Sequence, residues 1–202
     1  MTAKLDCSAT YVIEDERAML RPLQAGDYDL LLPFALHEPD LWKYSLVTPA
    51  GREGLRQYVD QTLKQRGEGR EYPFIVLDKK TGEYAGSTRF YDINNEFRSV
   101  QLGYTWYGSK FQGTGLNRHC KYLLLQLAFE ELNMVRVEFR ADNNNARSIA
   151  AMKSIGCTVE GVLRSNMPTR FGEDRRDSII LSILRDEWFG HVKKNLAGKL
   201  KG

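Results

Sequence analysis

Four consecutive residues, Gln112-Gly113-Thr114-Gly115, carry the clearest chemical potential in the chain. Glycines without β-carbons let main-chain N–H groups approach a ligand closely and reach positive φ. If a helix opens just after them, its first N–H groups lack intrahelical acceptors and lie at the positive end of the helix dipole. Together these make a seat for phosphate. The same glycines also suit a plain strand-to-helix turn. Two common nucleotide motifs are excluded: a dinucleotide fingerprint needs a third glycine where Arg118 stands, and a Walker loop needs Gly-Lys-Ser/Thr where the chain reads Gly115-Leu116-Asn117.

A strand must deliver the chain to this loop and a helix must leave it. Residues 101–107 place Leu102, Tyr104 and Trp106 at period two, with Thr105 adding β propensity, and Gly108-Ser109 ends the strand. From Leu116 the apolar residues Cys120, Leu123, Leu124, Leu127 and Ala128 follow at helical spacing, leaving Lys121 and Gln126 off the stripe.

Around this core, residues 9–13 and 18–23 read as short strands about the turn Glu14-Asp15-Glu16, and Asp27 as the N-cap of a helix over 28–36 that Pro39 ends. Residues 37–50, with their prolines, Trp42 and Tyr44, read as an irregular segment able to pack the core or line an acceptor pocket. A second helix spans 53–66, and residues 73–77 and 84–91 flank a turn as hairpin strands. Beyond the anchor helix, Val135, Val137 and Phe139 alternate with Arg136, Glu138 and Arg140 as a strand. A short helix carrying Ile149, Met152 and Ile155 closes at Gly156, and the last strands are 158–163 and 178–184, separated by the polar segment 164–177. Antiparallel strands followed by strand–helix alternation predict a mixed α/β sheet, α+β-like at its start, and not a doubly wound parallel one.

With 202 residues, 42% of them hydrophobic, the chain can bury one sizeable core, and residues 1–202 are read as a single domain. The net charge of +3, without a basic run interleaved with aromatics, requires no nucleic-acid partner. Cys7, Cys120 and Cys157 are scattered and odd in number, with no metal-ligand spacing, which suggests reduced thiols and no metal. Neither a signal pattern nor a membrane-length apolar run is present, so a cytoplasmic protein without a membrane partner is expected.

Gln112, Gly115 and Asn117 fall on the Gln/Arg-x-x-Gly-x-Gly/Ala pyrophosphate loop of the GNAT superfamily of N-acetyltransferases, which this stretch resembles, with Asn at the last position as a departure. Asn145, Ser148 and Gly156, then Glu160-Gly161-Val162-Leu163-Arg164, resemble the second signature of the ribosomal-protein (RimJ/RimL-type) branch, with Cys157 in place of its Phe. Arg21-Pro22-Leu23 followed by Asp27, and the closing Glu187-Trp188, resemble the same branch, so the resemblance spans residues 20–188.

The resemblance implies a GNAT fold, a largely antiparallel mixed sheet flanked by helices and splayed between its fourth and fifth strands, here residues 101–107 and 135–141. It implies acetyl-CoA as cosubstrate: pantetheine along Trp106 and Tyr107, pyrophosphate on the amides of Gln112, Gly113, Thr114, Gly115, Leu116 and Asn117, and Asn145 and Ser148 facing it. The implied reaction is direct acetyl transfer to a primary amine, either a protein N-terminal α-amine or a small amine, and a homodimer is compatible with the family. Two departures bear on chemistry. Gln101 stands where many relatives carry a glutamate base, and Met152 where many carry a thiolate-protonating tyrosine, which leaves Ser148 as the candidate acid. Glu138, Asp92 and Asp177 are the candidate bases, each also readable as a solvated or paired carboxylate, and His119 reads as a surface or packing residue. The alternatives are a catalytically silent acyl-CoA-binding module and an acetyltransferase for an antibiotic or polyamine. The arginines of 164–176, namely Arg164, Arg170, Arg175 and Arg176 against Glu173 and Asp174, tilt against a polycationic acceptor.

Overall fold

The computed structural model describes residues 4–169 and 174–200, so Arg170 and Glu173 lie outside the described residues. Its strands are β1 (Ile13–Glu14), β2 (Ala18–Pro22), β3 (Tyr72–Asp78), β4 (Glu83–Asn94), β5 (Ser99–Tyr107), β6 (Arg136–Asp142), β7 (Thr158–Pro168) and β8 (Arg175–Leu184). They form one sheet in the order β1-β2-β3-β4-β5-β6-β8-β7. Every pairing is antiparallel except β5 with β6.

Helices α1 (Tyr28–His37) and α2 (Gly51–Gly67) precede β3, and α3 (Leu116–Gln126) runs on into a π-helical turn, Leu127–Glu131. Helix α4 (Ala146–Ser154) links β6 to β7, and α5 (Arg185–Glu187), a second π-helical turn Trp188–Val192 and α6 (Lys193–Gly198) close the chain. The strand register tells the two faces apart. Arg89, Tyr91, Gln101 and Glu138 share one face, and α2 covers it where Thr62 Oγ1 accepts from Arg89 at 3.2 Å. Phe139 projects from the other face, under the Lys121 side chain of α3. Between the helical layers Phe74, Phe90, Val100, Val137 and Leu181 are buried.

The feature that positions the site is where the parallel pair stops. Strands β5 and β6 pair over only three positions, Ser99–Arg136, Val100–Val137 and Gln101–Glu138. β5 then continues to Tyr107 bonded to β4 alone, while β6 continues to Asp142 bonded to β8 alone. A bulge accompanies the divergence: Tyr104 has φ 49°, and the β4–β5 register slips between Ser87 and Arg89. An extra residue on one strand bends and twists it, which carries β5 away from β6. The splay is between the expected segments, which are the fifth and sixth strands of this sheet.

Three local expectations are corrected. Residues 9–12 are not strand: Tyr72 Oη and Arg66 Nη2 both donate to the Ala9 carbonyl, at 2.8 and 3.0 Å, and the Tyr11 N–H donates to Tyr72 Oη, so side chains take the bonds a ladder would have made. Asp27 does stand at the N-cap of α1, but its side chain makes no capping bond to the helix; Arg21 occupies both of its oxygens at 2.6 and 2.8 Å, and the Gln24 N–H donates to it at 2.8 Å. The last strands reach well into the segment read as a polar connection, because Arg175 braces the hairpin through the carbonyls of Ser165 and Asn166.

Candidate functional site

Divergence of β5 from β6 opens a cleft of about 1360 Å³, walled by β5, β6, α4, the start of α3 and the segment His37–Leu46. Trp106 forms its floor toward α1: the indole is 7% exposed, meets Phe34 and Trp42 edge-on, and donates from Nε1 to Tyr58 Oη at 3.4 Å. Tyr107 turns its ring the other way, burying its hydroxyl against the Cys120 thiol, and burial drives its pKa well up.

The loop between β5 and α3 is built as a nest of donors. A short 3-10 turn, Ser109–Phe111, brings the chain round, and Gln112 Nε2 ties the loop back to the Tyr107 carbonyl at 2.7 Å. Gly113 and Gly115 have φ 75° and 90°, the left-handed region that favours glycine, and open space stands where their β-carbons would be. Thr114 donates to the Phe111 carbonyl at 2.8 Å. The Leu116 N–H finds only Thr114 Oγ1 at 3.5 Å. The N–H groups of Gly113, Thr114, Gly115 and Asn117 find no acceptor among the described residues. Asn117 also lines the cleft, its Oδ1 an acceptor outside this donor set. Such a cluster at a helix start is an anion seat, and it fits a diphosphate.

Across the cleft, Asn145 caps α4 by accepting the Ser148 N–H at 3.1 Å. Ser148 lines the cleft, and its hydroxyl has no partner among the described residues. Met152 is buried on the same wall. Of the ten residues expected at the cofactor, Trp106, Tyr107, Gln112, Gly113, Gly115, Asn117, Asn145 and Ser148 line this cleft. Leu116 instead sinks its side chain into the core, and Thr114 turns outward. It faces a second cavity of about 520 Å³ on the outer side of the loop, lined also by Arg17, Lys79, Lys80, Arg118 and Lys199.

The candidate bases separate. Glu138 is held between Arg136 at 2.8 Å and Arg140 at 3.2 Å. Asp177 accepts the Ser165 N–H at 2.8 Å where Ser165 has φ 51°, so it braces a bend. Asp92 alone lines the cleft with no bond to its carboxylate among the described residues. Gln101 lies in register with Glu138 and leaves its Oε1 buried and unpartnered. His119 is 7% exposed and bonds Asp15 through Nδ1 at 2.7 Å. Asp15, Glu16 and His119 bring ligand-type atoms within 4.8 Å of one another, a proximity that residue spacing did not reveal.

Periodicity missed Lys121, which it left off the buried stripe. The residue is only 5% exposed and lines the cleft, its Nζ donating to Thr105 Oγ1 at 2.8 Å and lying 5.9 Å from the Phe139 ring centre. Burial lowers its pKa from 10.5 to about 8. The missing signal is the splay itself: a helical position that faces a gap in a sheet looks polar by pattern while being enclosed in space.

The comparisons with known proteins bear on this geometry. The family described as Acetyltransferase (GNAT) domain matches residues 17–158, from β2 through the glycine loop to the start of β7. This chain belongs to the GNAT acetyltransferase family. Membership implies acetyl-CoA as acetyl donor and an amine as acceptor. The N-acetyltransferase p20 of Bacillus licheniformis, itself uncharacterized, is 29% identical over 87% of this acetyltransferase and 97% of its own length. YdaF of Bacillus subtilis (strain 168), provisionally named a ribosomal N-acetyltransferase, is 29% identical over 67% of each chain. The solved GCN5-related N-acetyltransferase from Brucella melitensis covers 99% of this chain and 89% of its own with TM-score 0.88 at 24% identity, a likeness of fold. No helix among the described residues is long and apolar enough to cross a membrane.

Proposed function

We propose that this acetyltransferase moves an acetyl group from acetyl-CoA directly to an amine acceptor in a ternary complex assembled in the β5–β6 cleft. The carrying observation is the group of unengaged N–H donors at Gly113, Thr114, Gly115 and Asn117, placed at the mouth of that cleft. These would hold the diphosphate of CoA, while Arg17, Lys80 and Arg118 beside the loop suit its remaining phosphate. Asn145 and Ser148 would face the carrier from α4, with the backbone of Trp106 and Tyr107 on the opposite wall. Bound there, acetyl-CoA supplies an activated acyl carbonyl and a thiol leaving group.

This chain's own groups do the rest. Trp106, Phe139 and Met152 exclude water from the reacting region. A main-chain N–H near Trp106 would meet the developing oxyanion, an interaction contributing about 3 kcal/mol. Ser148 carries the hydroxyl able to pass a proton to sulfur. Glu138 and Asp177 being engaged, deprotonation of the acceptor falls to water or Asp92 at the mouth. That suits an α-amine, of pKa about 8, better than a lysine at about 10.4.

The acceptor side favours a protein N-terminal α-amine, in the RimJ/RimL manner, or a small amine carrying negative charge. Arg176 is 9% exposed and lines the cleft, donates to the Tyr44 carbonyl at 3.0 Å, and has no carboxylate partner among the described residues. Such a cation repels polyamines and aminoglycosides. The free thiols of Cys7, Cys120 and Cys157 are consistent with a reducing, cytoplasmic setting. We read the described chain as one catalytic domain on one continuous sheet.

The test is thiol release from acetyl-CoA across a panel of peptides with different N-termini and of small amines. Turnover with acidic N-terminal peptides or amino acids, and none with spermidine or aminoglycosides, is expected. Tight acetyl-CoA binding with no turnover on any acceptor would instead make the protein a silent binding module.

A further inference from the structure

Lys121 is a buried cation that no carboxylate balances among the described residues. Among the described residues its one hydrogen bond is to Thr105 Oγ1 at 2.8 Å, which in turn lies 2.7 Å from Thr88 Oγ1, so the neighbours are hydroxyls. Phe139 of β6 lies to one side. The titratable groups nearest it are the thiols of Cys120 on its own helix and Cys157 beyond α4, each pushed up by burial to about 12 and therefore neutral. Enclosing an ammonium in this way is costly unless an anion arrives to share the enclosure.

Position narrows which anion. Lys121 is four residues beyond Asn117, about 6 Å down the axis of α3 from the phosphate-seating end. Its ammonium reaches Thr105, which follows the bulged Tyr104 where β5 leaves β6. The stretch of CoA between its diphosphate and its sulfur is uncharged, so a cation at this depth has no anionic partner in the acetylated carrier. Negative charge appears there only as the reaction proceeds: the C–N bond forms, the C–S bond breaks with its electron pair left on sulfur, and the amine's proton leaves to solvent. Met152, on the α4 wall, supplies no donor.

We propose that Lys121 is the counter-ion of the CoA thiolate, a catalytic residue supplied by α3. The assignment rests on the cleft being the acetyl-CoA site. It holds whether or not Ser148 afterwards protonates the sulfur. A cation preorganised where charge develops favours the departing thiolate over the thioester, which is the differential binding that lowers a barrier.

The experiment needs no acceptor. CoA and desulfo-CoA are titrated into the protein by calorimetry between pH 6 and 9, and the ultraviolet absorbance of the thiolate is followed on the bound CoA. The expected result is a bound thiol titrating at least about one unit below that of free CoA followed in parallel, with CoA increasingly favoured over desulfo-CoA as pH rises through the bound value. In Lys121→Met that preference disappears while desulfo-CoA binds as before, and Lys121→Arg retains it. A bound thiol titrating at or above its free value in the unaltered protein overturns the proposal without recourse to any variant. Equal weakening of both ligands in Lys121→Met also overturns it, because the cation would then serve the diphosphate. If the unaltered protein binds neither ligand, the cleft is not the carrier site and both readings fall together.

Discussion

Keeping Lys121 protonated in a dry cleft sets function against stability, and the conflict is measurable. With its pKa lowered from 10.5 to about 8, the folded chain holds this proton less tightly than the unfolded chain. The resulting destabilisation is fully present below pH 8 and is relieved as pH rises from 8 toward 10.5. Lys121→Met, similar in volume and uncharged, loses the Thr105 hydrogen bond yet should raise unfolding free energy by about 2 kcal/mol at pH 7. Urea unfolding of both proteins should show that advantage shrinking as the pH passes 8 toward 10.5. The opposite sign is expected at Asp27, 4% exposed and bonded through both oxygens to Arg21. Asp27→Ala strands a partly buried guanidinium and should cost about 3 kcal/mol by the same measurement.

Among the elements, the glycine loop and the cap of α4 can be tested separately. Asn145→Ala removes the acceptor for the Ser148 N–H and should cost about 1 kcal/mol of stability, read by thermal unfolding. Because Asn145 also lines the cleft, CoA affinity should fall with it. Gly108 is different: a β-carbon there would stand 2.2 Å from the Phe34 ring. Gly108→Ala should therefore push α1 from the loop and weaken both folding and CoA binding. Most elements were legible in the sequence because their apolar spacing answers to one face of one strand or helix, as at Val135, Val137 and Phe139. The site was legible in part. The glycines and Asn145 announce backbone geometry through residue type, whereas Lys121 depends on a gap between two strands and Tyr104 on a bulge. Neither a gap nor a bulge has a period. The N-terminal stretch escaped for a related reason: its backbone partners, Arg66 and Tyr72, come from distant elements.

At the scale of the molecule, charge and edge decide behaviour. Arg17, Lys79, Lys80, Arg118 and Lys199 ring the outer cavity beside Glu16, with Arg17 paired to Asp78 and Lys79 to Glu14. CoA binding should weaken several-fold as salt rises from low to physiological strength, and dephospho-CoA should show a shallower dependence in the same calorimetric series. At the far end, β7 is an edge strand with Val159, Val162 and Leu163 exposed at 41–44%. An uncovered apolar edge invites pairing, so any self-association seen by sedimentation should be weaker in Val162→Lys. The three-position union of β5 and β6 carries a mechanical consequence as well. The sheet is two well-laced panels meeting at a short seam, so a guest lying in the opening stitches one panel to the other. Amide exchange along 102–107 and 139–142 should slow together when CoA is present, the two margins stiffening as one.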